Sequence, residues 1–132
     1  MPFPHRPGIR KQHPEAAFQM AVAEFLTRAL PPHVAWSAFP AGGGGRVRGG
    51  ILKAMGLRAG FPDLVLVHPD TGKAHWLELK APGGVTSAVQ KQVHALLLNS
   101  QSPVTVARSI DQVEHFLRAW DFPMRATTGA AA

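Results

Sequence analysis

The sequence contains no cysteine. Disulfides, thiolate zinc sites and a cysteine nucleophile are therefore excluded. Long apolar runs are also missing. Stretches such as Leu64 to Val67 and Ala95 to Leu98 fall far short of the roughly 20 residues that a bilayer requires. Met1 to Lys11 holds prolines and bases without an apolar core, so it does not read as a secretory signal. The expected compartment is the cytoplasm, with no membrane partner. No Gly-x-Ser-x-Gly motif marks a serine hydrolase, and no internal repeat is present.

Acids are scarce as well: 8 Asp and Glu stand against 14 Lys and Arg, a net charge of +6. Between Phe25 and Pro62 there is no acid at all, while Arg28, Arg46, Arg48, Lys53 and Arg58 all fall there. A polyanionic partner, nucleic acid above all, is the natural reading of that imbalance; the alternative is a merely soluble basic protein. The run Gly42 to Gly50 lacks the Gly-Lys-Ser/Thr ending of a nucleotide-binding loop. It reads as a flexible loop presenting Arg46 and Arg48 to a DNA backbone, or as a plain connector. Seven histidines show no close ligand pairing and are expected at the surface or against DNA. Trp36, Trp76 and Trp120 are expected in the core.

The chain's 132 residues amount to one domain. Residues 1–12 read as a flexible basic arm, 13–122 as the folded domain and 123–132 as a frayed tail. Pro14 suits the first position of a helix, which Pro31-Pro32 ends after about Leu30. A short strand is expected over Val34 to Phe39, and one or two helical turns from Gly50 to Met55, ended by Gly56. Phe61 to Val67 and Ala74 to Ala81 form a hairpin around turn signals in His68 to Lys73. Ser87-x2-Gln90 and Ser109-x2-Gln112 are capping-box patterns. They open helices to about Asn99 and Trp120, with a strand over Val104 to Ala107 between them. The fold class is mixed α/β, a small sheet flanked by helices in the order α-β-β-β-α-β-α, with the 50–55 turns as an addition.

Centring the hairpin turn between Asp70 and Thr71 places Asp63 opposite Glu78. Opposed residues share a face at about 4.5–5.5 Å between Cβ atoms. Two carboxylates so placed repel each other unless a cation intervenes. A hard divalent ion takes one or two protein carboxylates together with water and substrate phosphate. Lys80 shares the face of Glu78, and Leu64, Leu66, Leu77 and Leu79 form the opposite, buried face. Acid pair, metal and lysine together suit phosphodiester hydrolysis by a metal-activated water. The alternative is a strand-start cap at Asp63 and a surface ion pair between Glu78 and Lys80. On the first helix, Glu15 heads the apolar stripe of Phe18, Val22 and Leu26, whereas Glu24 falls about half a turn away. Glu15 either joins the site or complements the helix dipole.

Glu15-x3-Gln19, Gly56-Leu57-Arg58-Ala59-Gly60-Phe61-Pro62-Asp63-Leu64, Leu77-Glu78-Leu79-Lys80 and Ser87-x2-Gln90 together resemble the VRR-NUC branch of the PD-(D/E)XK nuclease superfamily. The likeness is greatest to its small standalone phage and bacterial forms, and it runs from about Glu15 to Trp120. It implies a restriction-endonuclease-like fold and a DNA endonuclease using Mg²⁺ or Mn²⁺. It further implies that Glu15, Asp63, Glu78 and the Leu79 carbonyl hold metal, that Lys80 assists the water, and that Gln90 supports the site. Gln19 is a further supporting position. Arg46, Arg48, Lys53 and Arg58 are the expected nucleic-acid contacts. Relatives of this kind imply a homodimer acting on branched DNA such as a Holliday junction. An RNA-directed nuclease and a non-catalytic nucleic-acid-binding module of the same fold are the alternatives.

Overall fold

A computed structural model describes residues 14–39 and 45–125. Within them run α1 (Pro14–Ala29), β1 (Trp36–Ala38), α2 (Gly45–Ala54), β2 (Leu64–Val67), β3 (Ala74–Leu79), α3 (Ala88–Asn99), β4 (Val104–Ala107) and α4 (Ile110–Ala119). The four strands form one sheet in the order β1-β2-β3-β4. The first three are antiparallel, and β4 lies parallel to β3. A parallel neighbour needs a long crossover, and α3 supplies it. The fold is the mixed α/β sheet with flanking helices that the sequence implied.

Register follows from the hairpin. Leu64 pairs with Leu77 and Val67 with Ala74, as the expected turn centre requires. One face of the sheet carries Leu64, Leu66, Leu77 and Leu79 against Val22 and Leu26 of α1 and Leu117 of α4. The other face carries Trp76, Glu78 and Lys80, all buried. Coverage of both faces is what makes β3 buried almost throughout.

Four elements differ in their bounds from the sequence expectation. Both hairpin strands are shorter than expected, and β1 is limited to three residues. Beyond β1, the Phe39 N–H still donates to the Asp63 carbonyl at 2.8 Å. The main correction concerns α2, which begins at Gly45 and spans 10 residues. Arg46 and Arg48 thus lie on a helix and not on a flexible loop, and positions two apart on a helix do not share a face. Each glycine costs about 1 kcal/mol in a helix interior, which is why the stretch reads as loop. A C-terminal cap closes α2: Gly56, at φ +105°, donates to the Lys53 carbonyl, and Leu57 donates to that of Leu52.

The capping boxes differ from each other. In α3 Ser87 and Gln90 exchange both hydrogen bonds. In α4 Ser109 accepts from the Gln112 N–H, but the Gln112 side chain accepts from Arg108, one residue before the cap. At the C-terminal end, Met124 packs against the core and Arg125 donates to the carbonyls of Ala29 and Thr27. Residues 1–13, which include the basic arm, residues 40–44 and residues 126–132 lie outside the described residues. Among the described residues no helix is long and apolar enough to cross a membrane.

Candidate active site

The hairpin brings Asp63 and Glu78 together where β2 begins and β3 ends. Asp63 follows the buried Pro62 and is pinned from two sides. Its carbonyl accepts from Phe39, and its Oδ2 accepts from the Leu79 N–H at 2.7 Å. Gly60 sets the approach of this segment to α3. It has φ +94°, and a Cβ there would lie 2.7 Å from Val89 Cγ1 and 2.8 Å from the Val89 carbonyl. Only glycine fits that combination of backbone angle and closeness.

Lys80 lies beyond β3, its backbone N–H donating to the Ala107 carbonyl. It is buried to 8% exposure, and its Nζ donates to Gln90 Oε1 at 3.0 Å. The same Oε1 accepts from the Ser87 N–H at 2.8 Å. One side chain therefore caps α3 and orients the lysine. Glu15 Oε1 and Lys80 Cδ flank Gly84, at 3.5 and 3.6 Å from a Cβ built there. This places Glu15 at the margin of the site, although it is exposed. Gln19, one turn further along α1, is half-buried.

Burial pushes the Glu78 carboxyl up to about 8; a hydrogen bond with Asp63 and the charge of Asp63 add to the rise. Lys80 opposes that rise and Glu15 adds to it. Glu78 is 1% exposed. Its Oε1 lies 3.2 Å from His94 Nε2. Burial, together with the charge of Lys80, lowers the His94 pKa. The ring is therefore neutral at pH 7, and the contact is a hydrogen bond rather than an ion pair.

The donor set fits a hard divalent cation. Two carboxylates meet, and burial favours the protonated form of Glu78, a proton that a cation would displace. Among the described residues no three His, Asp or Glu side chains converge on a metal position. A bound ion would draw its remaining oxygens from the backbone, water and substrate phosphate, as Mg²⁺ commonly does.

A cavity of about 770 Å³ opens beside this pair, with Asp63 and Gln90 in its lining. Lys53 and Arg58 also line it. Arg48 is exposed, and the Arg46 side chain lies outside the described residues.

The histidine expectation needs correction. His94 lies on Glu78, while His68 and His75 are buried in a ring cluster with Phe122. In the sequence the signal for His94 is its spacing: it lies one helical turn after Gln90, on the same face of a capped helix. Arg108 was also missed. It donates to the carbonyls of Ala81 and Gly84 and so braces the turn that follows Lys80. Trp76 is buried on the site's side of the sheet, donating to Ser102 Oγ at 2.9 Å.

Residues 34–111 match the VRR-NUC domain family. That stretch contains Asp63, Glu78, Lys80 and Gln90 and leaves Glu15 outside. Among solved structures, the fold is similar to that of a protein described as a VRR_NUC domain protein. The TM-score is 0.63 at 19% identity, covering 85% of this chain and 91% of that one. No curated protein matches.

Proposed function

This chain belongs to the VRR-NUC family of nuclease-type domains, and on that premise we propose that it is a divalent-metal-dependent DNA endonuclease. The observation that carries the reading is the meeting of Asp63 and Glu78 beside a lysine held by Gln90. Asp63, Glu78 and the Leu79 carbonyl would hold Mg²⁺ or Mn²⁺. When bound, that ion supplies Lewis acidity to water and to the scissile phosphate. The Leu79 N–H fixes the orientation of the Asp63 carboxylate, and His94 does the same for Glu78. Lys80 brings a positive charge to the phosphate and positions the attacking water, its ammonium held in place by Gln90. Glu15 completes the outer side of the site. Lys53 and Arg58, with Arg46 and Arg48 on α2, hold the phosphate backbone.

The proposed substrate is duplex or branched DNA, such as a four-way junction. The proposed assembly is a homodimer, whose two-fold axis presents two equivalent sites to two strands. The test is a cleavage panel of linear duplex, single strand, flap, four-way junction and RNA with Mg²⁺, Mn²⁺ or Ca²⁺, combined with light scattering. Metal-dependent cutting of DNA by a particle of two chains is expected. Cutting of RNA alone would overturn the choice of substrate, and a fully active single chain would overturn the dimer.

A further inference from the structure

We propose that the cavity beside the carboxylates receives one unpaired nucleotide of the DNA strand. Its base lies against Phe39 and Phe61, and its phosphates on Lys53 and Arg58. The inference rests on the nuclease reading and specifies which part of the substrate enters the protein. At about 770 Å³, the cavity falls within the range of roughly 300–1,000 Å³ typical of small-molecule pockets. That is room for a nucleotide and too little for a double helix. A base still paired and stacked in a duplex cannot enter such a site, so the nucleotide must be unpaired.

The lining has the chemistry of a base pocket. Phe39 and Phe61 stack with centroids 5.8 Å apart and planes 9° from parallel. Both pack on Trp76, at 5.2 and 5.6 Å, which its hydrogen bond to Ser102 holds in place. Yet both phenylalanines remain half-buried and border the cavity. A rigid aromatic wall that faces open space is a platform for a nucleobase, because every base has a π-face. Beside Leu57 and Pro62, the apolar part of the lining is otherwise small, with Gly49, Ala54, Gly56 and Ala59. At Gly49 and Gly56 a Cβ would meet nothing within 4 Å. The exposed Lys53 and Arg58 supply the charge that phosphates need. Asp63 and Gln90 belong to the same lining. A nucleotide seated in the cavity thus brings the adjoining phosphate toward the carboxylates.

The test uses a hairpin duplex with a short single-stranded overhang, which fixes the register of binding. Affinity is measured in EDTA, so that cleavage does not enter. 2-Aminopurine placed in the overhang reports stacking through its fluorescence. With the unaltered protein, removing one base to leave an abasic site should weaken binding at least about fivefold at one overhang position. Phe39→Leu with Phe61→Leu keeps the wall apolar but removes its rings, and should cause a similar loss on intact DNA, with little further loss on the abasic DNA. An abasic scan without any sensitive position overturns the pocket, and it needs no protein variant. Folded leucine variants that bind the overhang as tightly as the parent also overturn it. If the pocket fails while Mg²⁺-dependent cleavage persists, the nuclease reading stands. Base-sensitive binding without cleavage under any metal would keep the pocket and remove the nuclease.

Discussion

Leu77 and Glu78 are consecutive on β3 and equally inaccessible, at 0% and 1% exposure. They nevertheless occupy regions with opposite requirements. Leu77 faces α1 and α4, where burial of apolar surface stabilises at about 25 cal/mol per Å² and needs no particular partner. Glu78 faces α3 and Asp63, where burial opposes the charged form and every neighbour matters. The protein therefore holds one sheet together on its apolar face and concentrates unfavourable electrostatics at one end of the other. Local destabilisation of that kind marks functional sites. It becomes useful only if a ligand, here a divalent cation, relieves it.

Replacing these two neighbours separates the roles most widely. Leu77→Ala should lose about 2–5 kcal/mol of stability through lost burial and a cavity, and it should affect cleavage only through unfolding. Glu78→Gln should fold without that loss. Between pH 4.5 and 8 native Glu78 keeps a proton that the unfolded chain releases. Stability of the metal-free parent therefore falls as pH rises through this window, by at most about 1.4 kcal/mol per pH unit from this group. The glutamine variant lacks that contribution. Thermal melts of both variants in EDTA, across this range, check the contrast.

Gly60 and Gly56 sharpen the comparison in the backbone. Both have positive φ, but only Gly60 is crowded. Gly60→Ala should cost about 1–3 kcal/mol and displace Asp63, lowering cleavage together with stability. Gly56→Ala should cost about 1 kcal/mol, through backbone strain alone. Denaturant titration with parallel cleavage assays distinguishes the two.

His75 provides a pH probe on the apolar side. Burial first, then the charges of His68 and Lys73, lower its pKa from 6.5 to about 4. Below pH 6.5 the unfolded chain takes up a proton that native His75 refuses. Its contribution is therefore lost as pH falls toward 4, at no more than about 1.4 kcal/mol per pH unit. Its Nδ1 is also buried without a partner, so His75→Phe should flatten this part of the stability profile. An unchanged slope in the variant would assign the loss to other groups.

The smallest contrast lies on α1. Glu15→Gln should slow turnover about tenfold, or about 1.4 kcal/mol of transition-state stabilisation. Glu24→Gln should change stability by no more than about 0.5 kcal/mol and leave cleavage nearly unaltered. Equal losses in the two would point to net charge alone.

The same contrast governs what the sequence made legible. Period-two alternation and turn chemistry set the hairpin register, from Leu64 with Leu77 to Val67 with Ala74, because a buried face tolerates no one-residue slip. Asp63 and Glu78 meet through their side chains just beyond the pair of Leu64 with Leu77. The α3 capping box was readable because both hydrogen bonds are local. What escaped depends on tertiary contact. The helix over 45–54 survives its glycines, against local propensity. His94 and Arg108 become meaningful only once α3 and β4 are brought against the end of β3. The cavity wall of Phe39 and Phe61 joins segments that no sequence period links.

The central claim is that the buried acidic end of the sheet is a metal-dependent nuclease centre. Cleavage of a labelled four-way junction and its linear duplex by parent and Glu78→Gln proteins, with Mg²⁺ and with EDTA, tests it most directly. Matched melting curves serve as the control for folding. The account predicts Mg²⁺-dependent cutting by the parent and at least a hundredfold less by a fully folded Glu78→Gln, or about 2.7 kcal/mol of transition-state stabilisation. Cutting by the folded variant at the parent's rate, or equal cutting in EDTA, would contradict it.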